Sequence, residues 1–147
     1  MGTVAGCLRR IVMRGRAKFG WAALVLAACG GGSPDDAAKS LASAAAGASL
    51  VAGLRARGAV TAVYARQVAD GLRGEASKEA ETLRKPDAGP GAADAQRGAE
   101  RLDALLAEMR RAIDGGDGAA LRRQAADAHA LSESLTAAAA KMGGGGG

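Results

Sequence analysis

Apolar positions between residues 92 and 114 recur at steps of three and four: Ala95, Ala99, Leu102, Leu105, Leu106, Met109 and Ile113. At about 100° per residue they share one face, and Asp94, Arg97, Glu100, Arg101, Asp103, Glu108, Arg110 and Arg111 fall mostly elsewhere. The pattern predicts an amphipathic helix. Gly115, Gly116 and Gly118 surround Asp117 and read as a turn. Glycine takes positive φ at a helix C-cap, and Asp117 is suited to cap the next helix. That last helix is predicted over 118–142, with Leu121, Ala125, Ala128, Leu135, Ala139 and Met142 on one side. So short a turn makes these two helices antiparallel neighbours.

Upstream the pattern is weaker. Ser33-Pro34-Asp35-Asp36 is a good helix start, because Ser caps, Pro fits the first helical position and acids suit the positive end of the dipole. Residues 34–57 are mostly Ala, and Leu41, Leu50, Val51 and Leu54 do not share a face. Gly47, Gly53 and Gly58 weaken that helix. A second helix is predicted over 59–85. Val60, Val63, Tyr64 and Val68 share its face, and Leu72, Ala76, Ala80 and Leu83 continue it with a drift around the axis. Gly71 and Gly74 mark a bend, Glu81 and Lys85 form a favourable i,i+4 pair, and Pro86 ends the helix. Residues 86–91 read as a loop.

No strand-like alternation occurs. The expected fold is all-α: a small antiparallel helical bundle of three to four helices, rich in Ala, over residues 34–142. Residues 143–147 are expected to be a disordered glycine tail. The rival expectation is a set of marginal helices that fold fully only on a partner.

Composition sharpens this picture. Of 147 residues 39 are Ala, and the aromatics are Phe19, Trp21 and Tyr64 alone. An aromatic-cored β-sandwich and most stacking-based recognition of bases or sugars are excluded. After Cys29 only 19 large apolar side chains remain. Alanine lets helices approach to about 8 Å but buries little area, so modest stability is expected.

Charge must be read by segment. The chain has 20 Lys+Arg, 15 Asp+Glu and a net charge of +5. Residues 1–28 hold Arg9, Arg10, Arg14, Arg16 and Lys18 and no acid, so residues 29–147 balance at 15 of each sign. A neutral body with one aromatic offers no counterion-releasing patch and no base platform, which argues against nucleic acid as a partner.

The basic leader runs into ten uncharged residues, 19–28. That length suits a secretory apolar core and is too short to span a bilayer as a helix. Leu26, Ala27, Ala28 and Cys29 follow in order. This arrangement resembles the lipobox of bacterial lipoproteins. The resemblance implies a signal peptide over 1–28, recognition by the signal peptidase through Leu26, Ala27 and Ala28, and cleavage before Cys29. It further implies a diacylglycerol on the Cys29 thiol and, often in the family, a third chain on the new amino group. Gly30 after the cysteine implies onward transport to the outer membrane in a Gram-negative cell. Met13 is an alternative start, because Met13 to Lys18 is a sufficient basic region. Arg9-Arg10 is loosely similar to a twin-arginine signal, but Leu8 and Val12 replace its flanking residues. The rival reading is an ordinary secretory leader with Cys29 incidental. On the lipobox reading, residues 29–33 are a flexible tether carrying the lipidated cysteine. Cys7 falls in the leader, so Cys29 is alone in the mature chain and has no disulfide partner.

Other candidate chemistry is sparse. His129, the single histidine, falls on the flank of the last helix and reads first as a surface residue. Ile113 to Asp117, Leu121-Arg122-Arg123 and Ala128-His129-Ala130-Leu131 together resemble a histidine phosphotransfer domain. Ser132-Glu133 stand where that family has Lys-Gly, and the spacing from turn to histidine is longer. A haem-binding bundle would need inward axial ligands, and Met109 on the stripe reads instead as core filling. Ser132 and Ser134 lie near His129 without implying a pocket. Asp70, Glu75, Glu79 and Glu108 are expected to pair with Arg or Lys at helical spacings. Gly30-Gly31-Gly32 lacks the strand and the Lys-Ser/Thr of a phosphate loop.

The expected function is that of a small non-enzymatic cell-envelope lipoprotein, with no cofactor beyond its covalent lipid. It faces the periplasm or exterior and binds a protein partner or a second copy through its alanine-rich face. The alternatives are a periplasmic helical module that binds a small ligand or metal through His129, and a degenerate phosphotransfer-like domain.

Overall fold

Four α-helices form among the residues described, 32–85, 88–89 and 91–143, in the computed structural model. They are α1 (Pro34–Ala56), α2 (Ala62–Leu83), α3 (Ala92–Gly115) and α4 (Gly118–Gly143). The predicted leader, Cys29 and residues 144–147 of the glycine tail lie outside the described residues. So do residues 86, 87 and 90 of the predicted loop, in which Gly89 and Gly91 are seen at positive φ.

The helix ends follow from local chemistry. Ser33 accepts from the Asp36 amide ahead of Pro34, Thr61 accepts from the Tyr64 amide, and Asp117 Oδ1 accepts from the Ala120 amide at 2.9 Å. α1 and α3 stop in the same way. Gly58 sits at φ 72° and Gly116 at φ 68°, each donating back into its helix, to Arg55 and Ile113. The next residues, Ala59 and Asp117, donate to Leu54 and Ala112, both at 2.9 Å. This pair of bonds is the Schellman arrangement, and it favours glycine at the left-handed position. Gly58 therefore ends α1 and does not weaken its interior.

The helices run up, down, up, down around a square. α1 packs most extensively on α4, α2 packs on α3 and on α1, and α3 packs on α4. α1 also meets α3 across the centre, whereas α2 and α4 do not touch. Leu41, Leu102, Leu106, Met109, Ile113, Leu121 and Leu135 are the largest fully buried side chains. Every residue of the predicted α3 stripe is buried.

α1 turns inward by alanine. Ala38, Ala45, Ala48 and Ala52 are wholly buried, and Ala37 nearly so. Against this face α4 comes close enough for two reciprocal side-chain bonds. Ser49 Oγ donates to the Ala125 carbonyl at 2.7 Å, and Ser132 Oγ donates to the Ala42 carbonyl at 2.9 Å. The donors and acceptors are seven residues apart on each helix and run in opposite directions, which is an antiparallel register. So short a side chain reaches a neighbouring backbone only where contact residues are small. The alanine-rich face read as a surface for a partner is thus largely covered by the chain's own α4.

Two expectations about faces are corrected. Val63 and Tyr64 are exposed, and α2 instead buries Ala65, Ala69, Ala76 and Leu83. On α4 the buried set includes Leu131 and Gln124, while Ala125 and Met142 are only partly covered. On α2, alanines inside and Val63 and Tyr64 outside defeat a reading that places bulk in the core, while on α4 the buried face is rotated toward Gln124 and Leu131.

α1 is also long and apolar enough to cross a membrane, with a window of mean hydropathy 1.3. Half of that window is buried in the bundle. Removing α1 would strip α4 of its main partner, so the hydropathy is that of a core helix.

Candidate functional site

The lipobox residues Leu26, Ala27, Ala28 and Cys29 lie outside the described residues. What the structure places is the point where the chain after Cys29 enters the bundle. Ser33 caps α1, and its hydroxyl also lies within hydrogen-bond distance of Asp35 and Asp36. Lys39 Nζ is 2.7 Å from Asp35 Oδ2. The Lys39 ammonium, aided by Ser33, holds the Asp35 carboxyl below the usual carboxylate range, and Asp35 in turn raises Lys39. At this end α3 begins and α4 finishes. A methyl on Gly143 would lie 3.4 Å from Asp35 Oδ2, and one on Gly91 would lie 3.1 Å from the Ala138 carbonyl.

The other candidates are dispersed. His129 projects into solvent with 70% of its side chain exposed, and its nearest charged neighbour is Glu133 at 3.6 Å on the same helix. Ser132 is committed to the Ala42 carbonyl, and Ser134 faces the other way, toward α3. Met109 is fully buried while His129 is exposed, so the two do not converge on one site. Among the described residues no group of three or more His, Cys, Asp or Glu could hold a metal ion.

The charged residues show an order that spacing within one helix did not reveal. Asp70 pairs with Arg110 across the α2–α3 boundary. Arg66 Nε lies 2.7 Å from Asp114 Oδ1, and Arg73 Nε donates to Asp103 at 2.6 Å with a second bond at 3.2 Å. Residues 66, 70 and 73 thus meet 114, 110 and 103 in antiparallel order. Arg66 Nε makes its contact off the hydrogen-bond line, and its N–H is left without an aligned acceptor. Asp103 raises the Arg73 guanidinium above its ordinary value. Glu75, Glu79 and Glu108 form no ion pair among the described residues, and neither do Glu81 and Lys85.

Two surface grooves flank α4. One, of about 440 Å³, follows the α1–α4 seam past Lys39, Ser43 and Thr136 over an alanine floor. The other, of about 560 Å³, lies between α3 and α4. Arg97 and Arg101 line it from α3, Lys141 and Ser134 from α4, over a floor that includes Leu131 and Ala138. Asp94 is shared by Arg97 and, at 3.5 Å, by Lys141. The sequence pattern alone leaves these cations on the solvated face. The available signal is Arg97 and Arg101 at i,i+4, a like-charge spacing that costs stability in a helix.

Compared with known protein families, with curated proteins and with solved structures, the chain matches none.

Proposed function

We propose that this chain is a non-enzymatic lipoprotein of the bacterial cell envelope, in which lipid on Cys29 moors a helical bundle to a membrane. The observation that carries the reading is the order basic leader, uncharged stretch, Leu26-Ala27-Ala28-Cys29. The structure adds geometric support. α1 starts at Pro34, and four residue steps of chain from Cys29 to Ser33 span at most about 14 Å. Lipid on Cys29 holds the Ser33 end of the bundle against the bilayer surface. Two or three acyl chains make that attachment long-lived, whereas one is marginal.

The body is suited to contact. Ser49 and Ser132 are occupied in helix pairing, and His129 stands alone but for Glu133. The alanine face of α1 is covered by α4, so a protein partner or a second copy meets the outer surface, where Leu50, Val63 and Tyr64 are exposed.

The mass of the mature N-terminus tests the reading directly. The expected species begins at Cys29 and carries diacylglycerol. Palmitate labelling should disappear in Cys29→Ala. An unmodified chain retaining residues 1–28 and free in the cytoplasm would overturn the proposal.

A further inference from the structure

We infer that the α3–α4 groove is a binding site for the phosphate of an anionic phospholipid headgroup. The inference rests on the lipoprotein reading for the source of the lipid and for the placement of the groove near the membrane. Arg97 and Arg101 are one turn apart on α3, and Lys141 faces them from the last turn of α4. Against these three cations the groove holds one carboxylate, Asp94, which Arg97 and Lys141 already share. Arg101 makes no ion pair among the described residues, so its guanidinium is left to an outside acceptor. A guanidinium donates two parallel bonds to a phosphate, and an ammonium adds a point charge.

The floor separates a lipid from a free anion. Ala137 is exposed on the α4 wall, with Leu131 and Ala138 nearly buried behind it, so a small apolar surface lies beneath the cationic rim beside the Ser134 hydroxyl. A headgroup phosphate with its glycerol and first methylenes uses both surfaces, whereas inorganic phosphate uses only the rim. Position agrees. Lys141 lies two residues before Gly143, whose backbone approaches Asp35 in the first turn of α1. The groove thus runs from the end of the bundle that a lipid on Cys29 would hold against a membrane, at Asp94 and Lys141, toward Arg101 near its middle. There it would fix the orientation of the body on the surface.

The test uses the mature body, residues 29–147 with Cys29→Ser, so that neither a covalent lipid nor the basic leader competes, and dihexanoyl phosphatidylglycerol below its micellar concentration. Binding is read by calorimetry. The expected result is saturable binding, weakened about tenfold in Arg101→Ala and further in Arg97→Ala/Arg101→Ala, with unchanged helical circular dichroism. Dihexanoyl phosphatidylcholine and inorganic phosphate should bind at least about tenfold more weakly. Equal binding of inorganic phosphate would overturn the lipid assignment in favour of a simple anion site. Binding of a glutamate-rich peptide without lipid binding would overturn it in favour of an acidic protein partner. Lipid binding that survives Arg97→Ala/Arg101→Ala would remove the groove from the account. None of these outcomes depends on lipidation at Cys29, which the N-terminal mass decides separately.

Discussion

Adding a methyl group at Gly98 and at Gly71 should move stability in opposite directions. A Cβ on Gly98 would come within 2.5 Å of Leu135 Cδ2 and 3.1 Å of its Cγ, and Leu135 is buried in the core. Overpacking costs about 1–3 kcal/mol and outweighs the roughly 1 kcal/mol that Ala gains over Gly in a helix. Gly71 and Gly74 face open space in the middle of α2, so Gly71→Ala and Gly74→Ala should each add about 0.5–1 kcal/mol. Urea unfolding followed by circular dichroism reads all three, and a stabilised Gly98→Ala would mean that Leu135 swings aside freely. Gln124 supplies a second contrast. It is buried, and its Oε1 has no hydrogen-bond partner, so Gln124→Met should stabilise by about 1 kcal/mol. His129→Ala should leave stability within about 0.5 kcal/mol of the parent, as expected for an exposed side chain. These effects were poorly legible in the sequence. Gly98, Gly71 and Gly58 are the same letter, and only their neighbours and φ separate a close contact, an idle position and a C-cap.

Among the helices, α3 was readable throughout because its leucines, methionine and isoleucine make the inward face the only one worth burying. α1 was not, because an alanine face is distinguished by what it permits and not by its bulk. Its nine buried positions include seven alanines. They repeat at seven, as Ala38, Ala45 and Ala52 do, and α3 keeps the same interval at Ala92, Ala99, Leu106 and Ile113. Seven residues is the interval at which facing helices keep one seam in register, here for two to three repeats. Close packing also makes α1 intolerant of volume. Ala45→Leu should cost several kcal/mol, as a methyl-sized slot between α1 and its neighbours cannot hold a leucine. The start of α1 carries a pH dependence. Lys39 and Ser33 lower Asp35 on folding, so the contribution is present above the unfolded carboxylate value and is lost as pH falls through the folded one. Lys39 is raised, so its share persists below the unfolded ammonium value and is lost only as pH rises through the folded one. Lys39 is solvent-exposed and Asp35 only partly covered, so the effect is small. A pH series comparing the parent with Asp35→Asn should converge at acid pH, and a constant gap down to the lowest pH would remove the pair from the account.

At the scale of the whole molecule, the bundle is unevenly held. α3 buries ten residues, while α2 buries Ala65, Ala69, Ala76 and Leu83 and leans on partly covered Val68, Leu72 and Ala80. What α2 lacks in apolar contact is supplied in part by its pairs to α3 at Asp114, Arg110 and Asp103. Their side chains are roughly half exposed, so each pair contributes only about 0.2–1 kcal/mol and is screened by salt. The two sources of cohesion respond differently to solution conditions. At about 1 M salt the screening length falls to about 3 Å, while the α1–α4 seam of alanines and part-buried, uncharged serine bonds is little affected. Amide exchange under native conditions should therefore show α2 opening before the other helices. Raising sodium chloride from about 0.05 to about 1 M should speed exchange in α2 by a few-fold relative to α4. Arg73→Ala should reproduce part of that effect at low salt and remove part of the salt response, because Arg73 makes the best-aligned contact of the three. Equal protection of α2 and α4 at both salt concentrations would show that the apolar contacts of α2 hold it in place without help from the ion pairs. If α2 does open first, it uncovers the flank of α1 around Gly47, where Leu72 now rests, beside the alanine face that α4 covers. That would offer an incoming helix a second surface with the α1–α4 seam intact, in addition to the outer surface at Leu50, Val63 and Tyr64 proposed for a partner.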